Sequence, residues 1–339
     1  MTMKDAPTLE DVARVARVST ATISRSINMP NKVAKATHER IQKAIEALGY
    51  TPHFGGRALA SNRTNTIGAV IPSMSNAMFA NGIQAFQEEL SDAGVTMLVA
   101  STGYSTEAEY TQIRSLMAHG ADGLLLIGTD RPKKTTDFLA LRGVPYVISW
   151  CYKDDPAQLF VGFDNQKAAF EIATCVLGYG HRNIAMIAGI SKDNDRAKNR
   201  IAGVKNAIKD YGHGARLLRI VESPYLLAES ANAFDEIMEG PEVPSVIICG
   251  NDVLAAGAIT RARERGISVP KQISITGFDD IGLASVVDPA LTTVRVPQIE
   301  MGKAAARILL SKLSNDNTVS SLEFKTEVVL RSSLARVPL

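Results

Sequence analysis

The spacing of apolar residues divides the chain into a short helical beginning and a longer region in which strands and helices alternate. Up to residue 48, apolar residues recur every three to four positions, as they do along the buried side of helices. From Ile67 onward, short β-rich runs are separated by longer helical stretches, which predicts βαβ units, parallel sheets and right-handed crossovers. The predicted fold is α/β: a three-helix head followed by a body of doubly wound parallel sheets.

Capping residues mark the helices of the head. Thr8 and Asp11 have the spacing of a capping box in front of a helix at 9–16, and Ser19 is a suitable N-cap for a second helix at 20–27. A third helix packs behind them and ends at a glycine. Two short helices joined by a tight turn, with a third behind, predict a helix-turn-helix unit whose second helix enters the DNA major groove. A generic three-helix bundle has the same outline.

The body is predicted to have two lobes. Eight runs have the composition and length of strands: 67–72, 95–101, 122–127, 145–150, 183–188, 215–221, 245–250 and 273–278. They form lobes at about 66–160 and 161–290, and a cleft between two lobes is a usual place for a small ligand. The tail has a short strand at 291–297, a helix at 301–310 and a strand at 322–331, and it extends neither lobe.

Composition limits the alternatives. At roughly 100–200 residues per domain, 339 residues are enough for two or three domains. No apolar run approaches the roughly 18 residues of a membrane span, and the N-terminus lacks the apolar stretch of a secretory signal. The three cysteines, Cys151, Cys175 and Cys249, are far apart and odd in number, which argues against disulfides or a zinc site. We therefore expect a cytoplasmic protein without metal or cofactor.

The charge is unevenly distributed. Residues 1–64 carry a net charge of +5 and residues 65–339 a net charge of −3, which together give the +2 of the whole chain. A small basic head on a slightly acidic body is typical of a protein that binds nucleic acid. A basic surface without a partner is the alternative, and charge alone does not separate the two.

The sequence TLEDVARVARVSTATISRSIN (8–28) resembles the DNA-binding head of the lactose-repressor and galactose-repressor family of bacterial transcription regulators. The family patterns V-x-x-x-T-x-x-[RK]-[VI] (33–41) and LGY-x-P (48–52) follow in order. Further matches extend to about residue 333, and VGFDN (161–165) looks closest to gluconate-repressor-like members. The resemblance implies a two-lobed body like that of periplasmic binding proteins, with three crossovers between the lobes.

The same resemblance implies which residues contact DNA. Thr20, Ala21 and Arg25 are expected to read bases, and Arg25 has the geometry to fork onto guanine O6 and N7. The expected phosphate contacts are Ser19, Thr22, Ser24, Asn28 and Thr37. Two departures concern this region. Ala34 replaces the usual Ser cap of the third helix, and His38 replaces the commoner Arg, which is expected to weaken a phosphate contact.

A connector separates head and body. The expected divisions are a helix-turn-helix domain at 1–52, a hinge at 53–65, and an effector-binding and dimerisation domain at 66–339. The resemblance implies that the hinge becomes a helix when two subunits meet on DNA, with Leu59 wedged into the minor groove and Arg57 beside it. The expected division of the body is 66–160 with 293–321 in lobe 1, and 161–290 with 322–333 in lobe 2.

Polar and aromatic residues near strand ends are the effector-site candidates. Asp279 directly follows a strand, and paired with Arg200 it has the groups to bind a hydroxylated ligand. The other candidates are Asn251, Phe79, Trp150 and Phe163. Ordinary core packing is the alternative for the aromatic residues, and a surface salt bridge worth about 0–1 kcal/mol is the alternative for the charged pair. Trp150 stands where sugar-binding members often have Asp, so the orientation of a sugar does not transfer from any one member.

Catalysis is not expected. The chain has no G-x-G-x-x-G after a strand, no phosphate-binding G-x-x-x-x-G-K-[ST] and no G-x-S-x-G elbow, and its five histidines lack metal-ligand spacing. The sequence favours a ligand-responsive regulator, with a repressor expected, that binds an operator inverted repeat as a homodimer and takes a sugar or sugar acid as effector. A transport-type solute-binding protein and a sugar-modifying enzyme are the other classes considered. The basic head disfavours the first, and the missing catalytic groups disfavour the second.

Overall fold

The computed structural model describes residues 6–51, 63–316 and 318–337. The chain divides into two compact units, Met1–Thr64 and Asn65–Leu339, which are considered separately below. In the described residues no helix combines the length and the apolar character needed to cross a membrane.

The first unit contains helices α1 (Leu9–Ala16), α2 (Thr20–Asn28) and α3 (Lys35–Leu48), with a 3-10 turn between α2 and α3. The capping box predicted at Thr8 is present, because the Thr8 side chain accepts from the Asp11 amide while the Asp11 carboxylate accepts from the Thr8 amide. Val12, Ile23 and Ile41, one from each helix, are fully buried and meet in the core.

The second unit alternates strands and helices. Its strands are β1 (Thr66–Ile71), β2 (Thr96–Ser101), β3 (Gly123–Ile127), β4 (Tyr146–Ser149), β5 (Phe160–Gly162), β6 (Asn183–Gly189), β7 (Arg216–Ser223), β8 (Val246–Cys249), β9 (Ser274–Thr276), β10 (Thr293–Arg295), β11 (Leu322–Glu323) and β12 (Glu327–Val329). Its helices are α4 (Ala77–Asp92), α5 (Thr106–Ala118), α6 (Lys133–Arg142), α7 (Asn165–Gly178), α8 (Asp195–Tyr211), α9 (Leu227–Met238), α10 (Asp252–Glu264), α11 (Leu283–Val286) and α12 (Gln298–Leu313).

Two parallel sheets form the centres of the two lobes. The first has the strand order β11-β5-β4-β3-β1-β2, and the second has the order β7-β6-β8-β9. Strands β10 and β12 form a separate antiparallel pair. The α/β class and the doubly wound parallel sheets predicted from the hydrophobic pattern are confirmed.

The tail differs from its predicted course. The run 322–331 is two strands rather than one, because β11 pairs with β5 in the first sheet and β12 pairs with β10. The Phe324 amide still donates to Gly162 O, at 2.7 Å, before the chain leaves the first sheet. One continuous strand cannot pair with both β5 and β10, so the strand is interrupted between β11 and β12. Residues 322–323 therefore lie in lobe 1 rather than in lobe 2.

Helix α12 returns to the first lobe, as the family resemblance implies. It packs along α4, where Gly302 lies against the Gly82 carbonyl with no room for a side chain. Met301, Ala305 and Leu309 on its inner side are fully buried. The chain thus crosses between the lobes after β5, before α12 and after β11.

Candidate DNA interface and ligand cleft

Helix α2 presents a small polar surface to solvent. Thr20, Ala21 and Arg25, the expected base-reading residues, are all exposed. Ile23 on the opposite side is fully buried, so α2 is fixed to the head by one face only. An exposed helix face with small side chains near its N-terminus and one arginine has the form required for insertion into the major groove.

Two of the expected phosphate contacts also shape the start of α2. Ser19 is the N-cap, and its Oγ accepts from the Thr22 amide at 3.2 Å and lies 2.9 Å from Thr22 Oγ1. Ser24 and Thr37 are half-buried. The backbone of Asn28 ends α2, and its side chain lies outside the described part of the structure, as do Arg57 and Leu59 of the hinge.

The two departures from the family pattern have clear structural outcomes. Ala34 makes no capping hydrogen bond at the start of α3, because its methyl side chain has no acceptor. His38 is held inside the head, because its Nδ1 lies 2.8 Å from Oγ of Ser26, a buried residue on α2. His38 therefore connects α3 to α2, a role that sequence reasoning missed.

A cleft of about 500 Å³ opens between the two lobes of the body. The first lobe contributes the loops after β1 and β2, and the second lobe contributes the loops after β6 and β7; the lining residues are Ser73, Ser75, Asn76, Gly103, Tyr104, Ser105, Ile190, Lys192, Asp193, Asn194, Pro224, Tyr225 and Leu226. All four loops follow the carboxyl ends of parallel strands, where α/β sheets bind ligands. The volume fits a small metabolite.

Two tyrosines from opposite lobes meet in this cleft. The ring centroids of Tyr104 and Tyr225 are 5.6 Å apart. Asn76 Nδ2 donates to the Tyr104 hydroxyl at 3.4 Å, and Asn194 Nδ2 donates to the Tyr225 hydroxyl at 3.3 Å. Burial raises the pKa of Tyr104, so its hydroxyl keeps its proton. Neither tyrosine was a sequence candidate, because each lies in a loop without regular spacing.

The sequence-predicted charged pair is buried and does not line the cleft. Arg200 and Asp279 are each about 2% exposed, and Arg200 Nη2 donates to Asp279 Oδ1 at 3.2 Å. Arg200 also donates from Nη1 to Gly250 O at 2.6 Å and from Nε to Asn165 Oδ1 at 2.9 Å. Its guanidinium lies 3.7 Å from the ring centroid of Phe278. The surface salt bridge considered as an alternative is therefore wrong.

The remaining effector candidates have visible packing roles. Asn251 is the N-cap of α10 and accepts from the Leu254 amide at 2.9 Å. Phe163 stacks on Phe278 with centroids 6.2 Å apart, and Phe79 meets Trp150 edge-on at 5.3 Å. All four candidates are buried. None of the four lines the cleft.

Three polar atoms in the group around Arg200 are buried without a hydrogen-bond partner among the described residues. They are Asp279 Oδ2, Gln298 Oε1 and Trp150 Nε1. They belong to one connected group, because Gln298 Nε2 donates to Asp279 O at 3.2 Å and Asn165 joins Arg200 to Trp150 O. Two acceptors and one donor left open in a buried group match a ligand that carries hydroxyls.

Burial also raises the pKa values of two carboxyl groups, those of Asp279 and Asp252. Burial raises the pKa of Asp279 to about 6, although Arg200 opposes the shift. Asp252, which accepts from Thr293 Oγ1 and from the Ile281 amide, has its pKa raised by burial to about 8, and Asp279 contributes to the rise. Burial thus favours the protonated, uncharged form of both carboxyl groups, and Arg200 favours the ionised form of Asp279.

A helix-turn-helix head with an exposed helix face, joined in one chain to a two-lobed body with a cleft between its lobes, defines the class of ligand-responsive DNA-binding regulators. Comparison with known proteins gives the family. Residues 8–53 match the model of the bacterial regulatory proteins of the lacI family, and residues 175–334 match that of the periplasmic binding protein-like domain. The chain is 33% identical over 331 residues to the transcriptional repressor PurR of Vibrio atlanticus, which covers 96% of this chain and 98% of that protein. It belongs to the lacI family.

Solved structures agree with this assignment. A lacI-family transcriptional regulator from Silicibacter pomeroyi matches with a TM-score of 0.88 and 26% identity, over 97% of this chain and all of that one. The transcriptional regulator CelR in complex with cellobiose matches with a TM-score of 0.71 and 27% identity, over 96% and 99% of the two chains. The protein is thus a lacI-type transcription repressor with a DNA-binding head and a ligand-binding body, not an enzyme.

Proposed function

We propose that two copies of this chain repress transcription from an operator with an inverted repeat, and that a small hydroxylated effector, a carbohydrate or a sugar acid, binds between the lobes and changes the affinity for DNA. The observation that carries the effector site is the buried group around Arg200 with its three unpartnered polar atoms. CelR, a relative with the same two-lobed body, was solved with cellobiose, which supports a carbohydrate-like ligand.

The DNA part of the proposal rests on α2. Arg25 offers two parallel N–H groups to guanine O6 and N7, whereas Thr20 and Ala21 offer at most one hydrogen bond or a contact with a thymine methyl. The phosphate contacts are Ser19, Thr22, Ser24, Asn28 and Thr37. The proposal extends to Arg57 and Leu59 as minor-groove contacts of the hinge, outside the described residues.

The dimer is proposed to form through the body. Strand β2 is the edge of the first sheet, and its Val99 is exposed together with the nearby Met74. A half-apolar sheet edge is a surface that a second copy can cover. A dimer places two α2 helices on the two half-sites of an inverted repeat, because the symmetry of the protein is repeated in the operator. Such a regulator acts where the chromosome is, which favours the cytoplasm.

Contacts across the cleft provide the proposed link between ligand and DNA. Thr129 of the first lobe donates from its amide and its hydroxyl to Asp195 Oδ2 of the second, at 2.8 and 3.0 Å. Lys198 Nζ lies 2.6 Å from Asp130 Oδ2 across the same gap. A ligand that favours one arrangement of the lobes changes the affinity for DNA by the amount that DNA changes the affinity for ligand, typically about 1–3 kcal/mol.

The test combines operator selection with ligand screening. Gel-shift selection from random duplexes should return an inverted repeat with salt-sensitive affinity, and one compound from a panel of sugars, sugar acids and nucleosides should raise the melting temperature and alter the gel shift. Arg200→Ala should abolish the response to that compound. Equal binding to all duplexes would refute the regulator, and tight ligand binding without any DNA binding would favour a solute-binding protein.

A further inference from the structure

Helix α3 makes a side-chain hydrogen bond to each of the other two helices of the head. Arg40 Nε donates to Ala16 O, the carbonyl of the last residue of α1, at 2.9 Å. His38 Nδ1 lies 2.8 Å from Oγ of Ser26 on α2. Ile41, in the next turn of α3, is fully buried in the head core. Helix α3 is therefore a fixed support, and its side chains at 38 and 40 each join it to one helix of the helix-turn-helix unit.

The hydroxyl of Ser26 needs this partner because it is buried. Ser26 is 1% exposed, and a hydroxyl that loses its hydrogen-bond partner inside a protein costs free energy unless the group moves or finds another partner. Ile23 and Ile27 also hold α2 against the head core, but apolar contacts have no preferred direction. The hydrogen bond with His38 is directional, so it restricts rotation of α2 about its own axis.

The rotation of α2 decides where its exposed side chains point. Successive side chains on a helix are about 100° apart, so Arg25 projects into solvent while the next residue, Ser26, faces α3. At about 6 Å from the helix axis, a rotation of about 10° moves a side-chain atom by about 1 Å. A paired hydrogen bond to a base edge does not survive that displacement, since donor and acceptor must lie about 2.7–3.2 Å apart. The contact at Ser26 thus affects the geometry of Arg25.

Resting on the proposed reading role of α2, we propose that His38 and Ser26 form a positioning pair, which sets the rotation of α2 on the head and thereby the preference for operator over random DNA. Ser26 is buried and His38 is half-buried, so the pair acts through Arg25 and its neighbours rather than by reading bases itself. Loss of a phosphate contact weakens binding to every sequence alike, whereas loss of the positioning pair weakens operator binding selectively.

Two substitutions of nearly equal shape test the hydrogen bond itself. In asparagine, as in histidine, a polar atom is attached directly to Cγ, so His38→Asn keeps a partner for Ser26 Oγ. In His38→Leu the corresponding atom is a methyl carbon, and the Ser26 hydroxyl stays buried without this partner. His38→Leu should lower the ratio of operator affinity to random-DNA affinity by about 5- to 50-fold, part of what one bidentate base contact supplies. His38→Asn should keep the ratio within about 2-fold of the wild-type value.

The measurement is fluorescence anisotropy of the full-length protein at one salt concentration, with the selected operator and a random duplex of the same length. Leu48→Ala is the control for loss of head stability. Leu48 packs against the same core from the end of α3, about 15 Å along the helix from His38. Leu48→Ala should speed amide exchange in the head and leave the affinity ratio unchanged.

A double variant separates positioning from folding. Ser26→Ala combined with His38→Leu leaves no buried hydroxyl unpaired, so head stability should recover relative to His38→Leu alone. The affinity ratio should stay low, because an apolar pair gives the contact no direction. Recovery of the ratio together with stability, or a normal ratio in His38→Leu, would overturn the proposal. Equal losses for operator and random DNA would also overturn it and make His38 a phosphate contact.

Arg25→Ala distinguishes these outcomes from failure of the proposed function, because it shows whether α2 reads bases at all. If Arg25→Ala lowers the ratio and His38→Leu does not, α2 reads the operator and only the positioning role is wrong. If neither variant lowers the ratio, α2 does not read the operator, and the two proposals fail together.

Discussion

The buried pair of Arg200 and Asp279 allows a quantitative prediction about stability. Arg200→Ala leaves Asp279 buried without its cationic partner, and it removes the donors of Gly250 O and Asn165 Oδ1. Removing one member of a buried pair costs about 3–5 kcal/mol, because the group that remains is buried without its partner. The free energy of unfolding of the full chain should fall by at least that amount.

The assay is urea unfolding of full-length variants at neutral pH, with Arg295→Ala as the control. Arg295 also contacts two acids, Asp280 and Glu327, but its side chain is 51% exposed. An exposed pair contributes about 0–1 kcal/mol, so the control should unfold at nearly the same urea concentration as the wild type. The two substitutions remove the same type of side chain and differ mainly in burial.

A double variant tests the cause. Arg200→Ala combined with Asp279→Ala removes the unpaired carboxylate, so it should be less destabilised than the sum of the two single variants. Additive losses would show that the pair does not interact energetically. An Arg200→Ala loss no larger than that of Arg295→Ala would refute the reasoning altogether.

Four further outcomes are expected. Arg25→Ala should weaken binding to the selected operator by about 1–3 kcal/mol but leave random DNA nearly unaffected, measured by fluorescence anisotropy with the exposed Arg14→Ala as control. Ser19→Ala should cost about 1 kcal/mol and speed amide exchange at the start of α2. Burial lowers the pKa of His181, so wild-type stability should fall as the pH drops below about 6.5, and this loss should shrink in His181→Gln. The Asp279 pKa of about 6 predicts weaker effector binding below pH 6, with a flat profile in Asp279→Asn.

The elements most visible in the sequence are those that local chemistry determines. The Thr8 capping box needs only residues three apart, and eight strands of the body coincide with short β-rich runs, whereas the three-residue strand β5 was not predicted. The pairing of Arg200 with Asp279 could be predicted from the sequence, because both residues lie in motifs that occur in the family's order. The division of 322–331 into two strands could not be predicted, because it depends on which strands of the folded chain lie beside each part of this run.

The candidate site also contains features that local sequence cannot predict. An aromatic residue after a strand has the same sequence signature whether it faces a cleft or a core, so Phe163 and Phe79 were candidates although both pack inside. Tyr104 and Tyr225 lie in loops, where spacing carries no information. The guanidinium of Arg196 packs against Gly128, which lies 68 positions earlier in the sequence, and only folding brings the two residues together.

The crossovers have a consequence for synthesis of the chain. The first sheet takes its last strand from residues 322–323, and its lobe is covered by α12, which begins at Gln298. The second sheet, in contrast, takes its four strands from one continuous stretch, 183–276. On the ribosome the second lobe thus has its whole sheet available once residue 276 is made, whereas the first lobe, although begun earlier, lacks α12 and β11 until residues 298–323 are made. Of the two lobes, the one translated first is the one completed last.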